Sequence, residues 1–98
     1  MYKIEDSAFE GISSLETVTI TNNVVAIGKR TFAECKSLKT IKIPDSVISI
    51  GDEAFYNCNS LEELIIPNSV LWIGNRAIKG CNSLKSTQFP SCINNKLF

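Results

Sequence analysis

Cys35, Cys58 and Cys81 stand 23 residues apart, and three thiols at equal intervals are where metal, disulfide or nucleophilic chemistry would be sought first. The spacing argues against all of these. If the interval is one rung of stacked parallel strands, the Cα atoms lie ~5 Å apart with side chains pointing the same way. A disulfide would then be strained, and metal ligands would form a line rather than a tetrahedron. The chain has no C-x-x-C and no histidine, which removes the usual zinc spacing and the base of Ser-His-Asp and Cys-His chemistry. Ile12 fills the same slot one interval earlier. An aliphatic residue there marks a small apolar core position, in which free Cys behaves as a hydrophobe. Cys35, Cys58 and Cys81 are therefore expected to be reduced and buried. Cys92 aligns instead with Asn23, Ser46 and Ser69, and is the thiol expected to be accessible.

The remaining polar residues offer little more to catalysis. Asp52-Glu53 and Glu62-Glu63 are adjacent carboxylates, but they fall on exposed corner and strand positions where such groups are simply solvated. Gly28, Gly51 and Gly74 recur once per interval, unlike the closely spaced glycines of a phosphate loop, and read as corner residues. No catalytic residue, cofactor or metal is expected. Ten Lys+Arg balance ten Asp+Glu without a basic run, which disfavours nucleic acid as a partner. No apolar stretch approaches the roughly 18–20 residues of a membrane span. The start, Met1 to Asp6, holds no apolar signal core. The chain as it stands is expected to be cytoplasmic, with the cell surface open if it is a piece of a longer protein.

The elements that position these residues are written in columns. Phe9, Phe32, Phe55 and Ile78 share the 23-residue spacing, as do Leu15, Leu38, Leu61 and Leu84, and Ile4, Ile27, Ile50 and Ile73. So do Val24, Val47, Val70 and Ile93, and Ile20, Ile43, Ile66 and Phe89. A strict period in the twenties is the signature of a solenoid, whose repeats bury their apolar faces only by stacking. Within the third unit, Leu61 to Ile66 alternates as a half-buried strand, and Pro67 ends it in a turn with Asn68 and Ser69. Val70 and Ile73 read as a second short extended segment, and Gly74 as a corner. Ala54, Phe55, Cys58 and Leu61 sit at i, i+1, i+4 and i+7, the stripe of about two helical or 3₁₀ turns. The expectation is one α/β, β-rich domain of about four 23-residue repeats. Strands near 15–20, 38–43, 61–66 and 84–89 would form one parallel sheet along one side, with the Phe column inside and Pro44, Pro67 and Pro90 at one edge.

The segment L-K-T-I-K-I-P-D-S-V-I-S-I-G-D-E-A-F-Y-N-C-N-S-L, Leu38 to Leu61, resembles the BspA-type, or Treponema-type, leucine-rich repeat. The likeness runs from Ile4 to Ile93 and rests on the period together with A-F-x-x-C-x-x-L and I-P-x-S-V-x-x-I-G. It implies a curved right-handed leucine-rich-repeat solenoid used for protein binding or adhesion, with no catalytic residues to carry over. The pattern loosens at both ends: Thr21 stands for Pro in the first repeat, and Ile78, Thr87 and Lys96 replace Phe and two Ile in the last.

What does not repeat carries specificity. The first outward strand column, Glu16, Lys39, Glu62 and Lys85, alternates in sign, so opposite charges would pair on adjacent rungs. Ile65 is the one apolar residue among the next outward strand positions. In the second segment, Val25, Ile48 and Leu71 form one column and Ala26, Ser49 and Trp72 another, at positions that inward packing does not require. Two readings stay open: an exposed apolar patch that marks an interface, or a curled segment that half-buries one column. On the first reading Val25, Ile48, Ile65, Leu71 and Trp72 contact a protein partner of unknown identity. Two functions follow: a non-enzymatic protein-interaction or adhesion scaffold, or a structural unit that self-assembles through uncapped solenoid ends. A homo-oligomer would use either the face or the ends.

Overall fold

The computed structural model describes residues 1–90. Its strands are β1 (Tyr2–Ile4), β2 (Thr17–Thr19), β3 (Val24–Ile27), β4 (Thr40–Lys42), β5 (Ser49–Ile50), β6 (Glu63–Ile65), β7 (Trp72–Ile73) and β8 (Ser86–Gln88). They pair in parallel into two four-stranded sheets, β2-β4-β6-β8 and β1-β3-β5-β7, where the columns alone suggested one. Each neighbour is one repeat away: Val18 faces Ile41, which faces Leu64, and Ile27 faces Ile50, which faces Ile73. The second sheet exists because each repeat turns sharply between its two strands. That turn is closed by the amide of Val47 on the Pro44 carbonyl and that of Val70 on the Pro67 carbonyl, both 3.2 Å. Thr21, in the place of Pro, closes the same turn with Val24 at 3.2 Å.

The helical turns expected over residues such as Ala54 to Leu61 do not form, and no helix occurs among the described residues. Two positions in every repeat take a left-handed backbone: Ser7, Arg30, Glu53 and Arg76 in one column, and Gly11, Glu34, Asn57 and Gly80 in the other. A left-handed residue every fourth position interrupts a right-handed helix. Alternate amides then reach out of the repeat instead of along it. In the second repeat Arg30, Phe32 and Glu34 donate to the carbonyls of Asp52, Ala54 and Tyr56 on the next rung, at 2.9, 2.8 and 2.7 Å. Between them, Ala33 and Cys35 donate three residues back, to Arg30 and Phe32. The third side is thus a ladder of turns, and its amides are satisfied between rungs as in a sheet.

The core lies between these three sides. Phe9 stacks on Phe32 with ring centroids 5.6 Å apart, and Phe32 on Phe55 at 5.7 Å, nearly parallel in both pairs. Phe32, Phe55, Leu38, Leu61, Val47, Val70 and Ile50 are fully buried, and Ile78 continues the ring column. Thr31 is the buried polar side chain of the core. It occupies the column of Ala8, Ala54 and Ala77 because its hydroxyl donates to the Gly28 carbonyl at 2.8 Å and lies 3.1 Å from that of Glu5.

Candidate functional site

The second sheet carries the apolar residues that the core does not use. In β3 the pattern is buried, half-buried, half-buried, buried, so Val24 and Ile27 point inward while Val25 and Ala26 face out. Backbone bonds of 2.8 Å from Ile48 to Val25 and from Leu71 to Ile48 fix these three side by side on successive rungs. Beside them Ala26 pairs with Ser49 and Ser49 with Trp72. Val25, Ala26 and Ser49 are half-buried, whereas Ile48 is 47%, Leu71 72% and Trp72 53% exposed. The patch is therefore half-covered at the second rung and open at Ile48, Leu71 and Trp72 on the third and fourth. Tyr2, 23 residues before Val25, is also exposed, but a register shift in β1 pairs it with Val24 instead. Val25, Ile48, Leu71 and Trp72 thus share one face. Ile65, exposed on β6, belongs to the other sheet and sits in a separate hollow with Lys42, Asp45, Glu63 and Pro67.

The cysteine column is core, with one addition. Cys35, Cys58 and Cys81 are free and buried, and each sulfur faces the carbonyl of the Phe in the preceding repeat: Cys35 to Phe9 at 3.2 Å, Cys58 to Phe32 and Cys81 to Phe55 at 3.0 Å. A thiol suits the slot because it is apolar enough to bury and still offers a weak donor to that oxygen. Burial pushes the Cys35 thiol up, and the Cys81 sulfur together with burial pushes Cys58 up further, so neither is a ready nucleophile. Cys92 lies outside the described residues. Among the described residues no cluster of three His, Cys, Asp or Glu side chains converges on a metal position.

Charge pairing concentrates on the turn side rather than on the strand column. Of the expected strand pairs, Glu62 and Lys85 approach to 4.0 Å. Arg30, in contrast, bridges Glu10 at 3.1 Å and Glu53 at 2.5 Å, and Glu53 also holds Arg76 at 2.8 Å. The guanidinium of Arg30 additionally lies 5.2 Å from the centroid of the Tyr56 ring. Hydrogen bonds from Arg30 and Arg76 hold the Glu53 carboxyl below its usual range, and those from Ser7 and Arg30 do the same for Glu10. The clue in the sequence was the column Arg30, Glu53, Arg76, which alternates in sign as the strand column does.

The family model for the BspA-type leucine-rich repeat region, which describes six copies, matches residues 2–98. Among solved structures, a leucine-rich repeat protein from Bacteroides ovatus superposes with a TM-score of 0.85 at 41% identity, over 90% of this chain and 23% of that one. The pneumococcal vaccine antigen PcpA gives 0.85 at 31% identity, over 95% of this chain and 25% of its own. A leucine-rich cell surface protein from Faecalibacterium prausnitzii gives 0.74 at 28% identity, over 88% and 29%. This chain therefore spans about a quarter of the length of these three relatives. A comparison with curated proteins finds no match. With the repeat columns, the paired parallel ladders and the family model in agreement, the chain belongs to the BspA-type leucine-rich repeat family.

Proposed function

We propose that this chain is a non-enzymatic scaffold for protein interaction or adhesion, and that it binds through the second-sheet face of Val25, Ile48, Leu71 and Trp72. The observation that carries the reading is the contiguous exposure of Ile48, Leu71 and Trp72 on adjoining, hydrogen-bonded rungs. Exposed apolar side chains lower their free energy when another chain covers them, and Trp is prominent among residues that carry binding energy. Two relatives are described as a cell surface protein and a vaccine antigen, which suits an exposed binding role. No enzymatic family is indicated.

Ile65 forms a lesser candidate contact on the other sheet. Self-association is the second reading, favoured by the first described rung, where Phe9 is 39% exposed at one end of the ring stack. Light scattering across a dilution series separates a self-assembling unit from a monomeric scaffold.

The test of the main reading is selection of displayed protein fragments against the native chain. Binders are then measured on the double variant Trp72→Ala with Leu71→Ser, and on Lys39→Ala as a control on the other sheet. The expected result is at least a tenfold loss on the double variant and none on the control, with unchanged far-UV circular dichroism. Binders indifferent to the double variant would remove the face as the site.

A further inference from the structure

We propose that the notch between Lys3 and Trp72 on this face is a subsite for an acidic, aromatic-containing peptide segment of a partner protein; this rests on the interaction face proposed above. Lys3, Ala26, Ser49 and Trp72 are consecutive members of one lateral register row. The row places two small residues between a cation and an indole. At about 4.8 Å per rung, the two large side chains are rooted roughly 14 Å apart.

The floor is low for a structural reason. Gly28 and Gly51 line it, and neither tolerates a side chain: a Cβ would lie 2.7 Å from the Asp6 amide nitrogen and 2.6 Å from that of Lys29. These contacts restrict both positions to glycine, so neither adds a side chain to the lining. Its volume is about 250 Å³, just below the range of whole small-molecule sites, and it suits one or two side chains of a longer ligand.

The charge selects the kind of ligand. Lys3 and Lys29 both line the notch, and among the described residues neither forms an ion pair with a carboxylate. Asp6 is the acidic member, and its Oδ1 is engaged by the Lys29 backbone amide at 2.8 Å. The lining thus carries one net positive charge on a chain whose formal charge is zero. An aromatic ring of the ligand would pack on Trp72 and a carboxylate beside it would meet the two ammonium groups. A ring on an indole and a charge-assisted contact to Lys are each favourable, and the two together fix the direction of the segment.

Trp72 is the single tryptophan, so its emission reports this notch directly. The probe is a blocked tetrapeptide with adjacent glutamate and phenylalanine, titrated at low salt into the full chain. Matched peptides carry glutamine for glutamate, or alanine for phenylalanine. A saturable blue shift is expected with the first, at least tenfold weaker binding with either substitute, and a similar loss for Lys3→Glu with Lys29→Glu. Both changes are on exposed side chains, and far-UV circular dichroism checks the fold. Equal binding of the glutamine peptide would overturn the acidic preference while leaving the apolar face intact. No response to any peptide would overturn the subsite, and would extend to the face only if selected binders also ignore the Trp72 and Leu71 changes. Saturable binding of a glucuronate disaccharide without peptide binding would assign the notch to a glycan, and an emission shift on concentrating the chain alone would assign it to a second copy.

Discussion

A Cβ added to Gly51 would lie 2.6 Å from the backbone nitrogen of Lys29, one rung away. The repeating glycines are therefore spacers between rungs rather than corners that need a left-handed backbone. Positive φ among the glycines is found at Gly11 and Gly80, not at Gly28, Gly51 or Gly74.

Gly51→Ala should accordingly force two rungs apart and cost about 1–3 kcal/mol or more, as overpacking does. Gly11 has no atom within 4 Å of an added Cβ but sits at φ +77°, so Gly11→Ala should cost about 1 kcal/mol through backbone strain alone. Urea denaturation of both variants gives the comparison. Gly51→Ala no more costly than Gly11→Ala would contradict the close approach.

Phe55 stacks on Phe32 at 5.7 Å and is fully buried, whereas Phe9 is partly exposed. Phe55→Ala should cost about 3–5 kcal/mol, and Phe9→Ala clearly less because part of its ring already meets water. Similar losses of melting temperature for the two would argue against a core concentrated in the middle rungs.

The periodic columns made the strands, their register and the core legible, because each inward residue repeats where the stack requires it. The third side was misread for a physical reason. Ala54, Phe55, Cys58 and Leu61 have helical spacing, but Glu53 and Asn57 take left-handed backbones that convert the segment into linked turns. Asn57 sharing a column with Gly11 and Gly80 was the available hint, since Gly and Asn adopt that conformation most readily. The face of Val25, Ile48, Leu71 and Trp72 was legible as outward apolar positions. Its graded exposure was not, because that depends on how each rung overlaps the next.

The Glu10, Arg30, Glu53 and Arg76 ladder gives a pH dependence. Arg30, Ser7 and Arg76 hold the two carboxyls below the ordinary glutamate value of about 4.3. A depressed folded-state value means that the contribution is present above about pH 4.3 and is lost as pH falls through the folded-state values. The ladder lies at the surface, with Glu53 the most covered member and Arg76 the most exposed, so the effect should be small and should shrink with added salt. Melting temperature of the native chain should fall between about pH 4.5 and pH 2.5 more steeply than that of Glu53→Gln. Parallel curves would show that the ladder contributes nothing to stability.

The thiol column should be slow to label. In a Cys92→Ser background, Cys35, Cys58 and Cys81 should react with a thiol reagent only as fast as the rungs open, since all three sulfurs are buried and the Cys35 and Cys58 thiols are in addition pushed up, away from thiolate. Labelling accelerated by mild urea is the expected signature. Immediate labelling in native buffer would place these sulfurs outside the core.

Acrylamide quenching of the Trp72 indole, in the dilute chain and in its complex with a selected binder, tests the interaction face most directly. With Trp72 53% exposed, the free chain should be readily quenched and the complex strongly protected. An indole already shielded in the dilute monomer, or equally accessible when the binder is in place, would contradict the assignment of this face as the surface through which the scaffold works.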